Sequence, residues 1–160
     1  MTSAYFYETA IGRVGIAEDG EAVTHLFFGN SVRPREYTER ETPLLREAAR
    51  QLDDYLRGER REFELPLAPG GTDFERQVWA ELRSVPYGET RSYGQIAAAI
   101  GRPRAVRAVG RANGRNPLSI FIPCHRVIGA DGRLTGYAGG LAVKERLLGM
   151  EKRVREGFGG

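Results

Sequence analysis

The amino-acid sequence predicts an α/β protein in two parts. A small sheet-and-helix domain is expected over residues 1–69, and a mainly helical domain carrying a helix-turn-helix over residues 70–160. Three observations lead there. The first thirty residues alternate apolar and polar side chains in strand-like runs. Most of the remaining chain has helical spacing, with start signals before each helix. Between the two lies "PLAPGG", residues 66–71, where Pro and Gly crowd and beyond which the charge changes sign. A chain of 160 residues fits one domain or two small ones sharing a core.

Taken in order, "AYFYET", "GRVGIAED" and "AVTHLFF" read as three strands of an antiparallel sheet, separated by the turns "AI" and "GE". His25 sits in the third run among apolar neighbours, as a sheet or core residue. Thr42 is an N-cap with Pro43 at the first helical position. Leu44, Leu45, Ala48, Ala49, Leu52, Tyr55 and Leu56 then recur at helical spacing, and Gly58 ends the helix. "EFEL", residues 62–65, reads as a further strand.

Beyond the boundary, Thr72 and Glu75 form a capping box for a helix with Phe74, Val78, Trp79 and Leu82. "SVPYGET" breaks the pattern. Ser92 and Gln95 make a second capping box, for "YGQIAAAI", which Gly101 ends. Pro103 is expected to start "PRAVRAVGRAN", which Asn113-Gly114 closes. Two short helices around a glycine-containing turn read either as a helix-turn-helix or as an ordinary helical hairpin. Asp131-Gly132 marks a turn, "TGYAGG" a glycine-rich segment. "LAVKERLLGMEK" reads as a last helix burying Leu141, Leu147 and Leu148 and ending near Glu151, before a frayed tail "REGFGG".

Composition narrows the function classes. No apolar run approaches membrane-span length, and no basic stretch followed by an apolar core marks a signal peptide. Cys124 is the only cysteine, so neither an internal disulfide nor a cysteine-rich zinc site is expected, and a reducing interior suits the chain. The net charge of +3 conceals an asymmetry. Residues 1–80 hold 10 basic and 15 acidic side chains, a net −5, whereas residues 81–160 hold 14 and 6, a net +8. Arg102, Arg104, Arg107, Arg111, Arg115 and Arg126 follow one another with no acid among them. This suggests a polyanionic partner for the C-terminal part, with a solvated basic face as the alternative. The second short helix alternates arginines with Ala105, Ala108 and Gly110. Small residues permit close approach to a backbone, and arginines supply phosphate and base contacts.

Cys124 stands in "FIPCHRVIG" beside His125 and Arg126. A lone cysteine is ordinarily a small buried hydrophobe, and reactivity requires a base or positive neighbours to yield the thiolate. On an extended chain adjacent side chains point to opposite sides, so a direct sulfur–imidazole bond is awkward and a bridging water is expected. A carboxylate near the end of the last helix is a candidate to orient the imidazole.

"NPLSIFIPCHRVIGADGRLTGYAGGLAVKERLLGMEK", together with the upstream "SYGQIA…RAVG" pair, resembles the O6-alkylguanine-DNA alkyltransferases, the methylated-DNA–protein-cysteine methyltransferases. The resemblance is strong over residues 72–152. It implies a ribonuclease-H-like N-terminal sheet domain and a winged-helix-like C-terminal domain. It also implies single-use transfer of an alkyl group from O6-alkylguanine to Cys124 after nucleotide flipping, and leaves open the same transfer from O4-methylthymine.

By the same resemblance His125 is the water-linked base, Glu151 completes the relay and Asn116 organises the active-site turn. Tyr93 polarises the flipped guanine at a ring nitrogen. Arg107 is the finger that fills the gap left by the base, on a helix entering the minor groove with Arg104, Ala105, Ala108, Gly110 and Arg111. Tyr137 and the Ala138 N–H face the guanine oxygen, while the Val127 and Cys124 carbonyls accept from the exocyclic amine. The implied partner is double-stranded DNA containing alkylated guanine. The protein is expected to be a cytoplasmic monomer with no cofactor, no metal and no membrane contact. The zinc site that many members carry is not expected here, because its cysteines are missing. Some relatives have a proline at the position of Ser119 and a glycine at that of Arg111. Two other readings are a DNA-binding regulator with an inert Cys124, and a cysteine hydrolase using Cys124 and His125.

Overall fold

The strand-like alternation at the N-terminus becomes a meander, β1 (Ser3–Thr9), β2 (Gly12–Glu18) and β3 (Val23–Phe27), in which β2 pairs antiparallel with both neighbours. The computed structural model describes residues 1–29 and 32–157. A short strand that the sequence pattern does not signal, β4 (Thr38–Glu39), adds parallel to the edge of β1, giving the order β3-β2-β1-β4. Gly15 is required in β2, because a Cβ there would collide with the Phe27 ring.

Helix α1 (Pro43–Leu56) begins at Thr42, whose hydroxyl accepts from the Leu45 N–H. It packs Leu45, Ala48, Ala49, Leu52 and Tyr55 against the sheet. The expected strand at 62–65 is absent. The Gln51 side chain holds the Glu64 N–H and carbonyl, and Pro66 has no N–H for a ladder. Only Val23 and Leu67 pair there, in an isolated bridge.

Both capping boxes are present, at Thr72/Glu75 for α2 (Asp73–Leu82) and at Ser92/Gln95 for α3 (Tyr93–Ala99). Gly101, at φ +78°, turns the chain out of α3. The next helix, α4, spans Val106–Gly114 and does not start at Pro103. The Ala105 N–H instead closes a turn onto the Arg102 carbonyl, and Ala105 itself is non-helical. Arg104 and Ala105 therefore lie in the turn before α4 rather than on it. Val109, Ala112 and Asn113 form the buried face of α4. The Trp79 indole N–H donates to the Ala112 carbonyl at 2.8 Å and ties α2 to it.

The cysteine segment also differs from the extended chain expected. Cys124–Arg126 is a single 3-10 turn. The short strand β5 (Arg91–Ser92) pairs in parallel with β6 (Val127–Ile128), which follows that turn. Helix α5 (Leu141–Arg155) runs past Glu151. Its buried face is Lys144, Leu147, Met150 and Glu151, whereas Leu141 is half exposed and Leu148 only partly covered. Two charged side chains occupy positions that amphipathic spacing assigns to apolar ones. The tail "REGFGG" opens with Arg155 and the cap residue Glu156, and its last three residues lie outside the described residues.

One apolar core joins the two parts, running from Val14, Leu45 and Leu52 to Val78, Ile96, Val109, Leu118, Ile122 and Leu147. The Leu26 N–H of β3 donates to the Pro117 carbonyl at 2.8 Å, so the sheet edge abuts the turn that precedes Cys124.

Candidate active site

The turn before the cysteine is built by Asn116. Its Nδ2 donates to the Ile122 carbonyl at 2.9 Å and its Oδ1 accepts the Leu118 N–H at 2.9 Å. The Ile122 N–H returns to the Leu118 carbonyl. Ile120, inside this loop, has φ +73°, a conformation unfavourable for a β-branched residue and maintained by the surrounding bonds. The Cys124 N–H then bonds the Ile122 carbonyl. The result is a cysteine at the start of a fixed 3-10 turn, only 4% exposed.

Behind it His125 and Glu151 are both fully buried. His125 Nε2 lies 2.7 Å from Glu151 Oε2. Arg126 grips the same carboxylate at both oxygens, Nε to Oε1 at 2.9 Å and Nη2 to Oε2 at 3.0 Å, and donates Nη1 to the Val85 carbonyl. The Gly88 N–H adds a bond to Oε1 at 3.1 Å. Gly88 has φ +80°, and a Cβ there would press on Arg155, so the backbone approach to Glu151 needs glycine. The Tyr55 hydroxyl, from α1, donates to Glu151 Oε2.

This set of donors holds Glu151 ionised. Burial alone would raise the Glu151 pKa, but the hydrogen bonds and charges of His125 and Arg126 outweigh it and bring the pKa down to about 2. Burial lowers the His125 pKa, with Glu151 opposing and Arg126 and Lys144 adding to the effect. A neutral imidazole beside an ionised carboxylate carries its proton on Nε2, leaving Nδ1 as the basic nitrogen. Nδ1 is buried and has no hydrogen-bond partner among the described residues. The Cys124 thiol is pushed up by burial and pulled down by Asn116, Lys144 and Ser119. A thiol in that position needs a base to become a nucleophile.

The other predicted residues fall around this centre. Tyr93, at the first position of α3, hydrogen-bonds Thr135 through its hydroxyl. The Tyr137 hydroxyl and Ser119 Oγ are both buried beside the thiol, and the Tyr137 phenol is pushed well up by burial, then by Cys124 and Glu151, with Ser119 opposing. Ala138 follows in an exposed position. The Val127 carbonyl accepts from Lys144 Nζ at 2.6 Å and the Cys124 carbonyl from Asn113 Nδ2 at 3.4 Å. The Cys124 carbonyl also accepts the Val127 N–H that closes the 3-10 turn, so a further donor there would share a lone pair with an existing bond.

Arg107 and Arg111 are exposed one turn apart on α4, with Ala108 and Gly110 partly covered. Gly110 faces the Tyr93 ring, where a Cβ would sit in ordinary contact at 3.9 Å. Arg104 is exposed in the turn ahead, and Ala105 is partly covered.

Tyr55, Gly88, Asn113 and Lys144 join the site without a signal in the sequence. Tyr55 and Lys144 hold helical positions that read as ordinary core or solvated ones, and Gly88 looks like a simple helix breaker. Arg126 stands out in sequence for its place beside the thiol, but nothing there indicates that it is buried against Glu151. Among the described residues no group of His, Cys, Asp and Glu could hold a metal ion, and no helix is long and apolar enough to cross a membrane.

Comparison with known proteins places this geometry. The ribonuclease-like domain of 6-O-methylguanine DNA methyltransferase matches residues 4–69, and the DNA binding domain of the same family matches residues 73–153. A methylated-DNA–protein-cysteine methyltransferase of Methanosarcina acetivorans is 50% identical over 149 residues, covering 91% of this chain and 95% of that protein. A constitutive methyltransferase of the same name from Bacillus subtilis is 49% identical over 154 residues, covering 91% and 92%. The solved structure of Mycobacterium tuberculosis OGT in complex with DNA superposes with a TM-score of 0.89 at 45% identity, covering 95% of this chain and 94% of that one. With both halves matched in order, and a buried Cys-His-Glu centre beside the α3–α4 helix pair, the chain belongs to the 6-O-methylguanine DNA methyltransferase family.

Proposed function

We propose that this protein repairs DNA by a single, irreversible transfer of the alkyl group of O6-alkylguanine to Cys124. The observation that carries the reading is the commitment of His125 Nε2 to Glu151, which leaves Nδ1 free to take the Cys124 proton. The thiolate attacks the alkyl carbon in line. The S–C bond forms as the C–O6 bond breaks, and the electron pair passes to guanine, which takes up a proton in place of the one His125 removed from Cys124, so that protein and base both end neutral. Tyr93 polarises the leaving base at a ring nitrogen, while Tyr137 and the Ala138 N–H face its oxygen. The Val127 and Cys124 carbonyls take the exocyclic amine, and Asn116 maintains the turn. The thioether is a poor leaving group and no residue here is set to hydrolyse it, so each molecule acts once.

Arg107 fills the stack vacated by the flipped nucleotide, with Arg104, Arg111 and the small residues Ala105, Ala108 and Gly110 against the backbone. Ala105 provides no side-chain cap for α4, so the first-turn N–H groups remain available to a phosphate. We assign residues 1–69 and 70–160 as the two domains, and take the protein to act as a cytoplasmic monomer on double-stranded DNA. Intact-mass measurement with excess duplex containing O6-methylguanine tests the proposal. One methyl group per chain, on the peptide holding Cys124, is expected, and none in Cys124→Ser. Sustained turnover, or a methyl group elsewhere, would overturn it.

A further inference from the structure

We propose that Tyr55, which α1 contributes from the N-terminal part, is a positioning residue for thiol activation, holding Glu151 and the His125 ring in register; this rests on the relay reading above. Tyr55 is fully buried, and its hydroxyl reaches both partners, donating to Glu151 Oε2 and lying 3.2 Å from His125 Nε2. The ring is confined by Phe63 at 5.3 Å and Tyr87 at 6.3 Å between centroids, so the phenol has no alternative place to go.

The geometry also selects a tautomer. With the proton on Nε2, the imidazole donates to Oε2 and to the phenol oxygen, while the phenol donates to Oε2. With the proton on Nδ1, a lone pair on Nε2 would face Oε2 at 2.7 Å, and both would compete for one phenol proton. Tyr55 therefore favours the arrangement that frees Nδ1. The ionisable groups around His125 are Tyr55 from α1, Glu151 and Lys144 from α5, Arg126 and Cys124 from its own turn, and Tyr137 from the glycine-rich segment. Of these, Tyr55 alone comes from the N-terminal part, which thereby takes part in the chemistry. Burial and the Glu151 charge raise the phenol pKa well above its ordinary value, so the hydroxyl stays protonated.

Tyr55→Phe keeps the ring packing and removes the hydroxyl. Glu151 then loses a donor, its charge acts more fully on the imidazole, and His125 takes up a proton more readily. With only two histidines in the chain, ring 15N signals can be followed for His125 through a pH titration. The parent protein should show the Nε2–H tautomer. The variant should show a higher His125 titration midpoint, an acid limb of the alkylation rate shifted upward by the same interval, and a rate at neutral pH lower by about tenfold. An Nδ1–H tautomer in the parent, or an unchanged midpoint with a rate scaled equally at every pH, would overturn the proposal.

If the variant does not fold, the parent still decides. A slowly exchanging Tyr55 hydroxyl proton with a cross-peak to the His125 ring supports the proposal, and its absence contradicts it. Glu151→Gln serves as the reference for the relay. A slow Glu151→Gln beside an unaffected Tyr55→Phe removes Tyr55 alone. A Glu151→Gln that reacts at the parent rate removes the relay itself, and the titration still reports on Tyr55.

Discussion

The outward face of α4 and the buried centre behind Cys124 both depend on arginine, and they use it in opposite ways. On α4, Arg107 and Arg111 are exposed one turn apart, and among the described residues no carboxylate pairs with either. At the centre, Arg126 is buried and commits three of its donors to Glu151 and the Val85 carbonyl. An exposed charge is weakly held and free to exchange partners. A buried charge is stable only while its partner remains. Binding and extrusion of DNA should therefore be adjustable at the surface with little effect on folding, whereas changes at the centre should alter both chemistry and stability.

The strongest way to break this contrast is Glu151→Gln. It leaves Arg126 buried without its counter-charge and should destabilise the fold by about 3 kcal/mol, read as a lower melting temperature, while slowing alkylation. Its pH signature follows from the carboxyl. The folded pKa of about 2 lies below the ordinary 4.5, so Glu151 contributes stability that is complete above about pH 4.5 and lost as pH falls toward 2. Denaturation midpoints should fall across that window in the parent and fall less in the variant. His125 acts higher in the scale. Its pKa is lowered by burial, so as pH drops below 6.5 the unfolded chain takes up a proton that the folded chain resists, and stability declines.

Arg107→Ala comes next. Repair of a base in duplex DNA should slow by more than about tenfold, while reaction with the free modified base stays near the parent rate and the melting temperature is unchanged. The smallest effects belong to Arg104→Ala and Arg111→Ala. Each should weaken duplex binding and lower the slope of log affinity against log salt by about 0.9 for every phosphate the side chain had neutralised, with the rate on free base unaltered. A shift in melting temperature for any of these three, comparable to that of Glu151→Gln, would erase the distinction between the two regions.

The same contrast governs what can be read in the sequence. The basic run, the capping boxes at Thr72 and Ser92 and the paired Cys124 and His125 are legible because they are local: spacing and adjacency carry them. The α4 start is not, because Pro103 suits a first helical turn, and the competing turn onto Arg102 is set by Gly101 and the exit from α3. Residues 62–65 look like a strand until Gln51, on α1, takes up the backbone groups of Glu64. The buried centre is the least legible part. Lys144, Leu147 and Glu151 share one face of α5, and two charges are tolerable there because other elements supply partners, among them Val127 to Lys144, and His125, Arg126, Tyr55 and Gly88 to Glu151. Tyr55 is separated from Glu151 by 96 residues, and its hydroxyl is indistinguishable in sequence from that of any core tyrosine.

One comparison tests the central claim, that chemistry resides in the buried relay and nucleotide extrusion on α4. Single-turnover alkylation rates are measured for the parent, Glu151→Gln and Arg107→Ala, each on free O6-methylguanine and on duplex DNA containing it. The account predicts that Glu151→Gln loses the same fraction of rate on both substrates, while Arg107→Ala loses rate on the duplex alone. Equal losses on both substrates for Arg107→Ala, or a loss confined to the duplex for Glu151→Gln, would contradict it.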